Sequence, residues 1–437
     1  MDRQNVEKTL RIGMPMASFA EAVLATRDAG EDADLGTYER PFSEEEYVSR
    51  RERAVAAAQT EGMDGLIVWS RGGGTNDRHG NALYLANAYS SFPFVPDNMP
   101  LWGGRAHAVL FLPVGGPSQL IVDIPYYDAE GVAVDQVRVS PNVLDAVADV
   151  LREKGLDRGR IGLVGCDVLP VGWYWHLHEA LPELQWVPAD HILDRQRAIK
   201  SPAEQALIRE VAARGVSIMM QLLAAVEPGR TEGQVVGTAL AAMASAGVMP
   251  YELHVTAGPD AHQYTRARMP GWDAERPMQA GDMFHVDMFA SYQGYYFDFA
   301  RTVIVGDTAP TPPQERIMRA ARDAVYAVIN AIRPEVTGRE LAAAGYDALE
   351  RSGLAGSSDV SKGGRASALA GFGHSLGVGW EGPWLEPDSD DVILPGMYLA
   401  VEKTVGTPGV GGASFEENLL VTEDGAEILT AAAPNGV

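Results

Sequence analysis

Four acidic residues lie inside runs that are otherwise apolar and strand-like: Asp287 in FHVDMF, Asp298 in YYFDFARTV, Glu402 in YLAVEKTV and Glu416 in ASFEENLLV. Burying a carboxylate in a strand interior costs several kcal/mol unless something cationic compensates it. Pairing with Arg or Lys explains any one of these acids, whereas a pair of divalent metal ions explains the set. His374, in GHSLG, adds a nitrogen donor. One imidazole with four carboxylates is the hard-to-borderline ligand set expected for manganese, iron, cobalt or zinc, and is too poor in nitrogen for a dedicated copper site. Alternation along a strand puts His285 on the same face as Asp287, and Tyr296 on the same face as Asp298. The turn residues Ser291 to Gly294 then allow a hairpin that brings both aspartates together.

The stretch GFGHSLGVGWEGPW admits a rival reading, because Gly373 to Gly377 fits the G-x-S-x-G nucleophile elbow with Ser375 as nucleophile. In that arrangement an acid and then a histidine follow the serine in chain order. The nine histidines are 79, 107, 176, 178, 191, 254, 262, 285 and 374, so none follows Ser375. His374 as a metal ligand is the reading the chain supports.

The organisation has three parts. Residues 1–42 show weak periodicity and read as an N-terminal arm. Over 43–194, helical patterns such as EEEYVSRRERAVAAAQTEG alternate with short apolar runs, GLIVW, HAVLFLP, QLIVDI, RIGLVG and LQWVPA, which predicts a compact α/β domain. The glycines of WSRGGGTNDRHGN lack the lysine and helix that a phosphate loop requires, and read as a turn. A boundary near residue 195 precedes SPAEQALIREVAARGVSIMMQLL, where Ser201, Pro202 and Glu204 form a capping box and Leu207, Val211, Ile218 and Leu222 an apolar stripe. Pro228-Gly229 stop that helix. The remainder, 195–437, alternates strand pairs and tight turns with helices over 315–332 and 337–353, which predicts an α+β domain built on an antiparallel sheet.

Composition narrows the partners. Asp and Glu number 59 against 35 Lys and Arg, a formal charge of −24 that repels phosphate backbones and anionic lipid surfaces. Neither nucleic acid nor a membrane is the expected partner; a neutral or cationic small molecule or short peptide is. No apolar run approaches the roughly 20 residues of a membrane span, and the N-terminus lacks a signal peptide's apolar core. Cys166 is the only cysteine, so the chain carries no internal disulfide, and a cytoplasmic location is expected.

Asp287 and Asp298 eleven apart, GHSLG, LAVEK and SFEENLLVTEDG resemble, in order and spacing, the metal-binding blocks of the pita-bread metallopeptidase family, which includes Xaa-Pro dipeptidase, aminopeptidase P and the metal-free creatinase. RAIKSPAEQALIREVA is similar to the junction that opens the catalytic domain in the prolidase and creatinase branch, and NALYLANAYSS to a segment of its N-terminal domain. The resemblance spans about residues 44–430. It implies a creatinase-like α/β N-terminal domain followed by a pita-bread catalytic domain with a curved antiparallel sheet, and a homodimer. Carried over by position, Asp287 binds one metal, Asp298 and Glu416 bridge both, and His374 with Glu402 holds the second. All five are present, so metal-free chemistry is disfavoured. The implied reaction is hydrolysis of an amide, most often beside proline, by a water that two divalent ions activate.

The proton-handling positions depart from the peptidase pattern. Seven residues after His374, where such peptidases carry a second histidine, stands Glu381; the resemblance makes it the group that handles protons or substrate. His262 comes three residues earlier than the family's other histidine, and His285 occupies the place of an extra candidate ligand two residues before Asp287. These departures leave open a non-peptidase enzyme of the ectoine hydrolase or dimethylsulfoniopropionate lyase type, and a metal-free binding protein. Tyr292, Tyr295, Tyr296, Trp380 and Trp384 lie near ligands and could cage a cationic substrate or pack in the core. Arg301 is expected to buttress a metal carboxylate. His176 and His178 of WHLHE diverge on a helix and form no metal pair.

Overall fold

The computed structural model describes residues 40–72, 77–90, 106–123, 131–265, 269–355 and 371–433. The arm expected over 1–42 lies almost wholly outside them. The chain divides into two compact units between Gln196 and Arg197.

In the first unit, α1 (Glu44–Thr60) starts at Ser43, whose hydroxyl accepts from the Glu46 N–H, with three glutamates in its first turn. There follow β1 (Gly65–Arg71), α2 (Gly80–Ala86), β2 (His107–Pro113), β3 (Gln119–Val122), β4 (Gln136–Val139), α3 (Val143–Glu153), β5 (Arg160–Val164), α4 (Val171–Ala180), β6 (Gln185–Pro188) and α5 (Asp190–Ala198). The six strands form one mixed sheet in the order β4-β3-β2-β1-β5-β6. The apolar runs of β1 and β2 are its buried centre, because side chains on both faces are covered. Half-exposed QVRV, at the edge, lacks that apolar signature and goes unread in the sequence. On α4, His176 reaches Asp145 while His178 stacks on Tyr174, so the two diverge as expected.

The second unit opens with α6 (Pro202–Ala224), whose capping box of Ser201 and Glu204 is formed. Its buried stripe runs through Ile208, Val211, Ile218 and Leu222; Leu207 is only half-buried, one position off the core face. Then come α7 (Glu232–Ser245), β7 (Met249–Ala257), β8 (Met283–Tyr292), β9 (Tyr295–Ile304), α8 (Pro312–Asn330), α9 (Gly338–Ser352), β10 (Gly373–Leu376), β11 (Trp380–Trp384), β12 (Tyr398–Thr407), β13 (Gly411–Thr422) and β14 (Gly425–Ile428). All pairings here are antiparallel, in sheets ordered β7-β8-β9 and β11-β10-β12-β13-β14. The β8–β9 hairpin turns through Gln293 and Gly294, both at positive φ (51° and 85°), which is the two-residue turn that suits strand twist.

Side-chain bridges tie β9 to β13. Asn418 accepts from the Asp298 N–H at 3.0 Å and donates back to the Asp298 carbonyl, and Thr302 and Ser414 exchange a similar pair. The two sheets thereby curl into one antiparallel half-barrel. Helices α8 and α9 cover its outer side: Ile317, Val325 and Leu341 pack with Leu399, Val401 and Phe415 in one core. Strand alternation then turns Glu402 and Glu416 to the opposite, concave side. This is the pita-bread architecture that the resemblance implies. Among the described residues, no helix is long and apolar enough to cross a membrane.

Candidate metal centre

The ligand candidates meet on the concave face because each strand offers one at a matching level. Glu402 and Glu416 are direct partners across β12 and β13. On the hairpin, Asp298 is opposite Phe289 and so diagonal to Asp287, two residues away on the same face. His374 is brought in by Gly373, whose φ is +120° and where a Cβ would lie 1.9 Å from the Ala400 carbonyl oxygen. No other residue permits that approach of β10 to β12.

Two groups of donor atoms result, each with its members within 4.8 Å of one another: Asp298, His374 and Glu416, and Asp287, Glu402 and Glu416. Glu416 belongs to both. The carried-over scheme differs in two respects: there Glu402 joins His374, not Asp287, and Asp298 bridges both metals, whereas here Asp298 belongs to one group only. Four of the five side chains are buried, and Glu402 is nearly so. Neither carboxylate oxygen of Glu416, nor Oδ1 of Asp287, has a hydrogen-bond partner among the described residues. Burial and mutual repulsion push the Asp298 and Glu416 carboxyls well above the usual carboxylate range, and the Glu402 carboxyl up to about 7. Orphaned, crowded acid oxygens around one imidazole are what a pair of divalent ions requires, and the residues fit that group.

Surrounding contacts orient the donors. His374 Nδ1 lies 3.0 Å from the Ser375 carbonyl, so it carries the proton and leaves Nε2 as the lone-pair donor toward Asp298. Burial depresses the His374 pKa, which keeps the ring neutral. The Trp380 indole N–H donates to Asp298 Oδ2 at 2.8 Å, and the Tyr264 hydroxyl donates to Asp287 Oδ2 at 2.5 Å. Arg301 does not touch a ligand carboxylate: it pairs with Glu417 at 3.0 Å on the outer face and reaches only the backbone carbonyl of Glu416.

Ser375 has no nucleophilic geometry. Its hydroxyl points away from His374, donating to the Tyr398 carbonyl at 3.0 Å and accepting from Lys200 at 3.3 Å. Ser375→Ala is therefore expected to keep metal content and turnover, and to lose about 1 kcal/mol of stability; elemental analysis, kinetics and thermal unfolding check this. A dead variant with its metals intact would restore the nucleophile.

The three expected proton-handling residues do not line the cavity. Glu381 sits on β11 with its carboxylate turned away, bound by Arg197 at 2.7 Å, Lys200 at 3.2 Å and the Val378 N–H at 3.1 Å. Burial would raise this carboxyl, but the two cations outweigh it and hold it below the usual range. His285 does share the face of Asp287, yet its Nε2 lies 3.1 Å from the carbonyls of both Ala261 and Gln263. Carbonyls only accept, so that nitrogen carries a proton and serves as a strut. The His262 backbone packs against Gly406, where a Cβ would lie 2.0 Å from its carbonyl oxygen.

The sequence reading missed His254 and Tyr264, which do line the cavity. His254 is the cross-strand partner of Asp287; its Nε2 is 3.1 Å from Glu252 and its ring centroid 5.1 Å from that of Tyr264. The alternation used for His285 and Asp287 also aligns Glu252, His254 and Thr256. Nothing local tells that β7 lies beside β8. The cavity itself, about 150 Å³, is walled by these groups with Phe289, Trp380 and Trp384.

The family model described as metallopeptidase family M24 matches residues 206–423, and that of the creatinase/prolidase N-terminal domain matches residues 50–199. A Xaa-Pro dipeptidase of Pyrococcus horikoshii is 25% identical over 271 residues, which cover 60% of this chain and 71% of that protein. An agropine synthesis cyclase of Rhizobium rhizogenes is 30% identical over 183 residues, 41% of this chain and 43% of that one. Among solved structures, the dipeptidase PepE of Mycobacterium ulcerans matches with a TM-score of 0.72 at 25% identity, covering 91% of this chain and 99% of that chain.

Proposed function

Because this chain belongs to metallopeptidase family M24, we propose that it is a two-metal hydrolase of Xaa-Pro-like amides in short peptides, with Asp287, Asp298, His374, Glu402 and Glu416 as its ligands. The observation that carries this reading is the convergence of four carboxylates and one neutral imidazole around oxygens that the protein leaves unpaired. When bound, a pair of manganese, iron, cobalt or zinc ions would polarise the scissile carbonyl and ease deprotonation of the attacking water. The chain's own residues do the rest. Tyr264 and Trp380 hold Asp287 and Asp298 in place through their hydrogen bonds. His254, oriented by Glu252, offers its other ring nitrogen to a substrate amide, the task left open by Glu381.

The test combines metal content with turnover. Protein reconstituted with manganese, iron, cobalt or zinc is expected to retain about two ions per chain and to cleave a panel of Xaa-Pro dipeptides; retention of none of the four metals overturns the reading. His254→Gln is expected to lower turnover by roughly ten- to a hundredfold at unchanged metal content. Unaltered turnover in that variant removes His254 from the mechanism.

A second reading, small-molecule C–N or C–S chemistry of the ectoine hydrolase or dimethylsulfoniopropionate lyase type on the same residues, draws on two observations. The peptidase histidine is replaced by Glu381, which turns away from the cavity, and one relative is named as a cyclase. Turnover of ectoine-like rings or sulfonium betaines, with none of the dipeptides, selects it.

A further inference from the structure

Trp380 and Trp384 stand half-open at the cavity mouth, 51% and 43% exposed, although an indole left in water forfeits its apolar burial. Alternation puts them on one face of β11 with Gly382 between them. A Cβ at Gly382 would meet nothing within 4 Å. The strand thus presents two indoles and an open gap. Both lean on the His374 ring, with centroids 5.5 and 5.1 Å from it, and the Phe289 ring lies 5.1 Å from that of Trp380.

The charge around this gap is negative. Glu252 and Glu386 line the cavity and are not among the ligand groups. Two divalent ions would offset the four ligand carboxylates and leave these two acids in excess. The Lys403 side chain, on the opposite face of β12 from Glu402, donates its ammonium to the Gly371 carbonyl at 3.0 Å and lies 4.4 Å from the Phe372 ring centroid. Lys403 also lines the cavity, so its ammonium offsets one of the two acids and the remaining charge there is negative.

We propose that the gap between Trp380 and Trp384 is a subsite for a small organic cation, an amine or alkylated ammonium carried by the substrate, held over the indole faces and drawn in by Glu386 and Glu252. The inference rests on the cavity being the substrate site, as proposed above, but not on which bond is broken there. It makes an ammonium-bearing compound the preferred ligand over a neutral or anionic compound of the same size.

The probe is tetramethylammonium, titrated into metal-loaded, full-length protein at constant ionic strength while indole fluorescence is followed, with tert-butanol as the neutral isostere and acetate as the anion. A saturable response to tetramethylammonium is expected, with little response to the other two. Trp384→Ala should weaken it about tenfold, and Glu386→Gln by a smaller factor, while Trp384→Phe, which keeps an aromatic face, should bind nearly as the parent does. An equal response to tert-butanol, or undiminished cation binding by Trp384→Ala, overturns the subsite. Because neither Trp384 nor Glu386 is a ligand, the titration is repeated on metal-stripped protein. Cation binding there, in a protein that never retains metal, keeps the subsite and sinks only the metal reading.

Discussion

Glu416→Gln is expected to abolish metal retention and turnover and, in the same protein, to make the metal-free fold more stable at pH 8 than the metal-stripped parent. Glu416 is the member common to both donor groups, so its loss breaks both. Without metal it is a buried carboxylate whose two oxygens have no partner, and the neutral amide removes that charge. The same reasoning fixes the pH dependence of the stripped parent. Asp298, Glu402 and Glu416 have folded pKa values raised above the unfolded ones. Their contribution to stability is therefore complete below the ordinary carboxylate pKa and is lost as pH rises through the folded values. For Glu402, raised from 4.5 to about 7, the loss is on the order of 3 kcal/mol.

Two other groups act outside the useful window. The depressed His374 removes stability only as pH falls below its ordinary value of 6.5. Lys403, held down at about 8 by burial, adds stability only above that pH. Between pH 6.5 and 8, thermal unfolding of stripped protein should consequently show a falling midpoint. With saturating manganese the trend should reverse, because the ligands must be deprotonated to bind. A stripped protein whose midpoint rises over this range would contradict the crowding of unpaired carboxylates.

Glu381→Gln is expected to destabilise the second unit by about 3–5 kcal/mol, the cost of leaving buried cations without their counter-charge. The side chains concerned are little exposed: 7% for Glu381, 1% for Lys200 and 14% for Arg197. The midpoint of thermal unfolding should drop by about ten degrees. Metal content should persist in the variant that remains folded, since no ligand is touched. Gly377 shares in this arrangement, because a Cβ there would lie 2.4 Å from Glu381 Oε1. A Glu381→Gln protein with unchanged stability and a large fall in turnover would return Glu381 to proton handling.

The two tests probe opposite faces of the sheet, and they mark the limit of what a linear reading reaches. The four acidic ligand candidates were legible because a charged residue inside an apolar strand is locally anomalous, and the period of two fixes its face without knowledge of partners; His374 was legible because no histidine follows Ser375 to complete the rival elbow. The hairpin was legible as well, its turn being local. The α/β alternation of the first unit, the capping box at Ser201 and the helices near 312–330 and 338–352 likewise rest on neighbours a few residues apart.

What the tertiary structure alone decided is which side chains at long separation meet. Glu381 carries no local sign that Arg197 and Lys200, at the opening of the same unit, lie within hydrogen-bond distance of it. Its spacing from His374 gave it a catalytic place that the strand's other face denies. His254 enters the site only because β7 pairs with β8 across a connection of more than twenty residues. Glu402 groups with Asp287 because the bridges between β9 and β13 set the level of the two sheets. Composition and periodicity record a residue's own preference for burial and face; the identity of its partner is a property of chain closure, which no local preference encodes.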